Sequence, residues 1–243
     1  MTRSATSKTS LAEVTAVILA GGLGTRLRSV VADRPKVLAA IQRRPFLVFL
    51  LEQLAAAGVR DAVLCTGYLG EQVEDALGES FHGLRLSYSR ETSPFGTGGA
   101  LRLAVPQITA DCALVMNGDS YCDADLNAFK SWHDTRGAEA SLLLAKVPDT
   151  SRFGTVVVDA DGRVLRFEEK QQNPGPGWVN AGLYLINRKL LDTIPSNGPC
   201  SLEREIFPMW IGKALYGCRS NGQFVDIGTP ESYAAAAAFL ARL

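Results

Sequence analysis

The residues best able to do chemistry lie between positions 14 and 36, which read VTAVILAGGLGTRLRSVVADRPK. An apolar run leads into Gly21, Gly22 and Gly24, then Thr25 and Arg26, and ten residues on come Pro35 and Lys36. Glycine lets backbone N–H groups approach an anion with no Cβ in the way. An arginine fork and a compact lysine charge would complete a phosphate cradle. The stretch is not a dinucleotide fingerprint, because Leu27 takes the third glycine position and no acidic residue ends a following strand where one is needed; nor is it a Walker loop. It points to a nucleoside triphosphate. Taken singly, Arg26 and Lys36 read as ordinary solvated cations, and their order behind the glycines gives them weight.

Four further features add to this. Residues 93–100, SPFGTGGA, place Gly96 and Thr97 ahead of a predicted helix, where free amides would point at one spot; a tight turn is the plainer reading. Asn117-Gly118-Asp119 closes an apolar strand and Asp226 ends another. One such Asp is commonly a cap or turn former, whereas two converging on a triphosphate are hard oxygen ligands for Mg²⁺. Glu91, an acceptor-only carboxylate, could take both the ring N–H and the amino group of guanine, and reads equally as an exposed loop acid. Glu168 and Lys170 share one strand face and Glu169 takes the other. His82 and His133 stand apart without acidic or serine partners, so neither a Ser-His-Asp set nor a zinc set is predicted.

The elements that must position these residues alternate. Strands are predicted over 14–19, 62–65, 84–88 and 113–116, with helices over 45–57, 71–77 and 99–104 between them. This is the pattern of an α/β, mostly parallel, doubly wound sheet, whose ligands bind beyond the carboxyl ends of the strands. The second half reads as strands over 139–146, 154–158, 164–168, 179–186, 215–218 and 223–226. A hairpin turn occupies 159–162, and helices run over 201–211 and after Thr229-Pro230. No linker or repeat interrupts the chain. Residues 1–13 are predicted to be a disordered tail and 14–243 a single domain whose two halves, 14–125 and 126–243, share one sheet.

The 243 residues carry 25 basic and 25 acidic side chains and are 47% apolar, enough for a sizeable core. The balanced charge argues against a nucleic-acid or anionic-membrane surface. Five cysteines without a C-x-x-C pair predict reduced thiols and a cytoplasmic setting. The polar first ten residues lack the apolar stretch of a secretory signal, and no apolar run is long enough to span a bilayer.

Together these residues resemble the sugar-1-phosphate nucleotidyltransferases, through Leu19-Ala20-Gly21-Gly22-Leu23-Gly24-Thr25-Arg26-Leu27 with Pro35-Lys36, though Ala40 stands where the signature usually carries a proline. The resemblance continues through the Gly96 stretch, Asn117-Gly118-Asp119, Phe153-Gly154, Glu168-Glu169-Lys170, Val179-Asn180-Ala181-Gly182 and Asp226-Ile227-Gly228-Thr229-Pro230. Within that family the chain is similar to the D-glycero-D-manno-heptose 1-phosphate guanylyltransferases, by residues 28–31, 94–100, 149–154 and 200–203. The resemblance implies a Rossmann-like mixed sheet flanked by helices, with an inserted sugar-binding β region. It also implies a reaction in which a sugar 1-phosphate attacks a nucleoside triphosphate, giving nucleoside-diphospho-sugar and pyrophosphate. On this reading Asp119 and Asp226 hold Mg²⁺, Arg26 and Lys36 neutralise phosphates, and Leu19 to Gly22, Gly24, Thr25, Glu91, Gly96 and Thr97 meet the nucleotide. Lys170 takes the acceptor phosphate, while Gly154, Glu169 and Asn180 face the sugar. The alternatives are a uridylyltransferase, a mannose-1-phosphate guanylyltransferase, a non-catalytic nucleotide-sugar-binding domain and, disfavoured by Leu27, a dehydrogenase. A homo-oligomer is left open.

Overall fold

The computed structural model describes residues 10–168 and 175–242. Its strands, in chain order, are β1 (Thr15–Leu19), the two-residue β2 (Ala40–Ile41) and β3 (Arg44–Pro45), β4 (Asp61–Thr66), β5 (Ser80–Phe81), β6 (Leu84–Arg90), β7 (Cys112–Asn117), β8 (Ser120–Cys122), β9 (Ala140–Val147), β10 (Thr155–Val158), β11 (Val164–Glu168), β12 (Gly177–Asn187), β13 (Leu215–Ser220) and β14 (Phe224–Asp226). The helices are α1 (Phe46–Ala56), α2 (Gly70–Leu77), α3 (Gly96–Ala104), α4 (Leu126–Thr135), α5 (Arg188–Leu191), α6 (Phe207–Trp210) and α7 (Pro230–Leu240).

The apolar runs read as strands fail to alternate because both of their faces are buried, as a parallel sheet covered by helices requires. In β1, Ala16 and Ile18 enter one core while Val17 enters the other. β4 and β7 divide in the same way, with Leu64 and Met116 on the first side and Val63 and Val115 on the second. Helices α1, α4 and α7 cover the first face through Leu50, Phe129 and Leu240. Helices α3 and α6 cover the second through Leu101, Phe207 and Trp210. The large sheet runs β11-β10-β12-β7-β1-β4-β6-β5, with β9 and β13 added beside β12, so both halves of the chain share one sheet.

Strand β12 is where the halves meet. One edge pairs with β9 along most of its length. The other edge takes β7 opposite Leu183 to Asn187 and β10 opposite Val179, so the sheet forks between them. At the fork the register breaks between Asn180 and Tyr184, and Gly182 has a left-handed φ of 73°. A Cβ there would sit 2.6 Å from Ser120 Oγ and 2.9 Å from Asn117 Cβ, so glycine is required.

Four expectations change. Residues 11–13 of the predicted tail form a short turn that Ser10 caps, and Leu11 is 1% exposed within the core. Helix α3 starts at Gly96 rather than 99, so the glycines form its first turn. Helix α4, not assigned from sequence, is capped by Asp125, whose side chain accepts from Ala128 N at 2.9 Å; its apolar stripe of Leu126, Phe129 and His133 is too thin to stand out. His133 does have a serine partner: Nδ1 lies 2.8 Å from Ser141 Oγ, and Nε2 lies 3.3 Å from the Asn187 side-chain oxygen. His133 and Ser141 are each 1% exposed, so the trio is structural.

All five cysteines are free thiols, and burial pushes Cys65 up to about 12 and Cys112, Cys122 and Cys218 up to about 11. Burial also holds His133 below the usual histidine value of 6.5, against a raising contribution from Asn187. The unfolded chain takes that proton first, so stability present above pH 6.5 is lost as pH falls from there toward the lower folded value. Thermal melts from pH 7.5 down to 5 should show Tm falling below 6.5, and His133→Gln should melt lower throughout but with a flatter pH slope.

Candidate active site

The first glycine stretch is held at the end of β1 by its neighbours: Ala20 N donates to Cys65 O at 2.8 Å and Gly118 N to Leu19 O at 2.9 Å. Gly24 takes a left-handed φ of 61°, after which Thr25–Leu27 close a 3₁₀ turn pinned by buried Leu27. A Cβ on Gly24 would lie 3.1 Å from Lys36 Cβ, so this glycine is what lets the two basic segments pack together. Lys36 opens another 3₁₀ turn, locked by buried Val37 and Leu38, and its Nζ is hydrogen-bonded to the Asp119 carboxylate. With a side chain only 13% exposed, Lys36 is not a solvated surface lysine.

The two aspartates come from neighbouring backbone segments. β14 pairs antiparallel with β8, setting Asp226 opposite Ser120, and Ile227 N donates to Asp119 O at 2.9 Å. The Asp226 carboxylate is itself held: Oδ1 accepts from Gly228 N at 2.8 Å and Ser232 Oγ at 2.9 Å. Arg152 Nη2 donates to both of its oxygens, at 2.8 and 3.0 Å. The point where a Gly228 Cβ would stand is 2.9 Å from Asp226 Oδ1, 3.5 Å from Nη2 of Arg26 and 4.0 Å from Nη2 of Arg152. Arg26 thus reaches the Gly228 turn beside Asp226, while Lys36 and Arg152 are the cations that pair with the two acids.

A cavity of about 280 Å³ lies at the carboxyl ends of β1 and β7; Leu19, Ala20, Gly21, Gly22, Lys36, Glu91, Gly96, Thr97 and Asp119 line it, with Asn117. Gly24, Thr25, Arg26 and Asp226 are not in its wall. Glu91 is not an exposed loop acid. Its Oε2 accepts from Phe95 N at 3.0 Å, and its Oε1 stands where a Cβ on Gly21 or Gly67 would come within 2.8 or 2.7 Å. Burial raises its carboxyl above the usual range, and the Phe95 N–H offsets this in part.

The second glycine stretch differs from its prediction. Gly98 N and Gly99 N both donate to Cys200 O, at 2.9 and 3.3 Å, so these amides are not free for a phosphate. The glycines serve close packing: a Cβ on Gly96 would lie 2.6 Å from Cys200 O, and one on Gly98 2.7 Å from Cys200 Sγ. The Thr97 hydroxyl is likewise engaged, donating to Glu203 Oε2 at 2.8 Å and accepting from Leu202 N at 2.9 Å.

Glu203 leads to the other half. Its Oε1 accepts from the Tyr184 hydroxyl at 3.2 Å, and that hydroxyl accepts from Asn180 Nδ2 at 2.8 Å and Asn117 Nδ2 at 3.5 Å. Burial first, then the Glu203 charge, raise the Tyr184 phenol well above its usual value, so it stays a donor. Asn180 Oδ1 accepts from Gly182 N at 2.9 Å, so this side chain fixes the fork of the sheet. Gly154 abuts β11, where a Cβ would lie 3.1 Å from Glu168 O. Glu169 and Lys170 lie outside the described residues. Asn117 Oδ1, in the cavity wall, is buried with no hydrogen-bond partner among the described residues.

Sequence reading missed Arg152, Ser232, Tyr184 and Glu203 as members of this site. Arg152 and Glu203 stood inside runs that carried the family resemblance, and nothing local tied them to residues 74 and 106 positions away.

No helix among the described residues is long and apolar enough to cross a membrane. The chain is 37% identical over 234 residues to a mannose-1-phosphate guanylyltransferase of Mycobacterium tuberculosis; the match covers 95% of this chain and spans 65% of that relative's length. It is 36% identical over 219 residues to a D-glycero-alpha-D-manno-heptose 1-phosphate guanylyltransferase of Aneurinibacillus thermoaerophilus, covering 90% of this chain and 94% of that one. The crystal structure of HddC from Yersinia pseudotuberculosis complexed with GMP-PN superposes with a TM-score of 0.82 at 32% identity, covering 93% of this chain and 99% of that one. The nucleotidyl transferase family matches residues 15–242, and the chain belongs to it.

Proposed function

We propose that this protein transfers a guanylyl group from GTP to a sugar 1-phosphate, D-glycero-D-manno-heptose 1-phosphate above others, releasing pyrophosphate. The observation that carries this is the strand pairing that brings the backbones of Asp119 and Asp226 together beside the glycine-lined cavity, with Lys36 bonded to Asp119. Residues 14–125 hold the nucleotide and 126–243 the sugar phosphate, in a single domain. The five reduced thiols suit a cytoplasmic enzyme.

A phosphate monoester has its second pKa near ~6, so the acceptor is already an anionic nucleophile at neutral pH and needs no general base. Its oxygen forms the new bond to the α-phosphorus while the bond from that phosphorus to the bridging oxygen breaks, the electron pair leaving on pyrophosphate. What must be overcome is repulsion between two polyanions and the entropy of aligning them. Lys36 supplies positive charge in the cavity wall and Arg26 adds a second cation from the turn that follows the glycines, and the backbone of Gly21 and Gly22 lets phosphates approach closely. Asp119 and Asp226 offer hard oxygen donors on adjacent strand ends, a set that fits Mg²⁺. When bound there, the ion would neutralise phosphate charge and fix the triphosphate's orientation.

Glu91 supports guanine: a carboxylate fixed under the cavity by Phe95 N can accept from two neighbouring donors. The buried, partnerless Asn117 Oδ1 is an acceptor that a ligand hydroxyl would satisfy. The sugar rests on the heptose and mannose relatives alone.

Product mass spectrometry across four triphosphates, with heptose, mannose and amino-sugar 1-phosphates, with and without Mg²⁺, should show a GDP-sugar formed only with metal. A preference for UTP, or no pyrophosphate from any pair, would overturn the proposal. Asp119→Ala and Arg26→Ala should each lower turnover roughly 10²-fold or more, by the usual size of transition-state charge contacts. Because guanine recognition needs the ionised Glu91 and burial raises its pKa, KM for GTP should climb on acidification at a higher pH than an ordinary carboxylate dictates. Glu91→Gln should raise KM at neutral pH and flatten that dependence.

A further inference from the structure

We propose that Arg152 binds the phosphate of the acceptor sugar, and that before substrate arrives its guanidinium is parked on the Asp226 carboxylate. This rests on the transfer reaction proposed above and adds a residue to it.

The segment over 149–153, between β9 and β10, is built to present this side chain. The Asp149 carboxylate accepts from Ser151 N at 2.8 Å and Ser151 Oγ at 2.9 Å. Thr150 donates through N and Oγ1 to Gly175 O, at 3.2 and 3.1 Å, and Phe153 N donates to Thr150 O at 2.9 Å. The Phe153 ring meets Phe224, two residues from Asp226, edge-on with centroids 5.6 Å apart, which fixes the distance between loop and carboxylate. Arg152 is thus aimed at Asp226 by a turn with its own hydrogen bonds.

Its contact with Asp226 uses one guanidinium nitrogen. A fork of five N–H donors leaves others for a second anion. Asp226 Oδ1 already accepts from Gly228 N and Ser232 Oγ, so it is well supplied without the arginine. Arg26 brings a second guanidinium to the Gly228 turn, 3.5 Å from the point from which Arg152 is 4.0 Å, so an anion entering there would face both cations. The pair is also breakable: the Arg152 side chain is 41% exposed, and ion pairs with that much water contribute little.

The origin of the loop selects the acceptor phosphate over the triphosphate. Arg26 and Lys36 come from the nucleotide half, whereas Arg152 leads through Phe153 and Gly154 into Thr155 of β10, which pairs with Glu168 of β11. A sugar 1-phosphate carries nearly two negative charges at neutral pH and meets this side first.

The test uses Arg152→Ala and Arg152→Lys in the full chain, with melting curves confirming folding. Steady-state kinetics should show KM for the sugar 1-phosphate raised about tenfold or more in the alanine variant, KM for the triphosphate changed less than about twofold, and partial recovery with lysine. Mn²⁺ titration of the substrate-free protein, followed by electron paramagnetic resonance, should show roughly fivefold tighter binding in the alanine variant, because Asp226 is released. An unchanged KM for the sugar phosphate, or an equal rise for both substrates, would overturn the phosphate role. Unchanged Mn²⁺ binding would overturn the parking. Should the wild-type protein catalyse no transfer, the functional reading fails by itself, while the Mn²⁺ comparison still decides whether Arg152 competes for that carboxylate.

Discussion

The short pairing of β14 with β8 is the contact on which the site depends. Asp119 follows a parallel strand in the first half of the chain, and Asp226 arrives more than a hundred residues later. Only the backbone ladder from Phe224 to Asp226, extended by the bond from Ile227 N to Asp119 O, sets one acid beside the other. The same ladder starts α7, because Thr229 caps that helix while Ser232 both closes the capping box and donates to Asp226. Helix α7 then packs Leu240 onto the core face carried by Ile18 and Leu50, so the second carboxylate is anchored to the hydrophobic interior as firmly as the first.

Charge balance follows from this arrangement. Two carboxylates brought together repel, and part-buried ones are costly without partners. Lys36 compensates Asp119, and Arg152 compensates Asp226. Each acid is therefore neutralised at rest, which suits a site that must take up polyanions and release them. Fixed polar groups in a partly dry setting act more strongly than the same groups in water, and they need little rearrangement when charge develops.

Much of the scaffold was legible because its signals are local. Strands β1, β4 and β7 read as apolar runs since both faces are covered, and α7 read from Thr229-Pro230 and an alanine series. Part of the cavity wall was legible too, in that Leu19 to Gly22 and Lys36 follow one another closely in sequence. What escaped depends on partners distant in the chain. Gly96, Gly98 and Gly99 looked like free anion-binding amides, yet the lack of a side chain at Gly96 and Gly98 answers to Cys200, a hundred residues on, and the amides of Gly98 and Gly99 are spent on its carbonyl. The depth of Glu91 is set by Gly21 and Gly67, two residues whose missing Cβ atoms make room for its carboxylate. His133 finds Ser141 only because a helix and a strand are packed together. Polar α4 hid its amphipathic stripe among charges.

The forked edge of β12 has a consequence for how such a chain can diversify. One side of that strand is committed to the parallel sheet through β7, and the β10–β11 hairpin touches the remainder of the same side chiefly through Thr155 and Val179. Besides that ladder, the hairpin is held by the bond from Gly217 N to Gly162 O and by Val156 and Val164 in the second core, so changes to its outer edge leave the register of the parallel strands untouched.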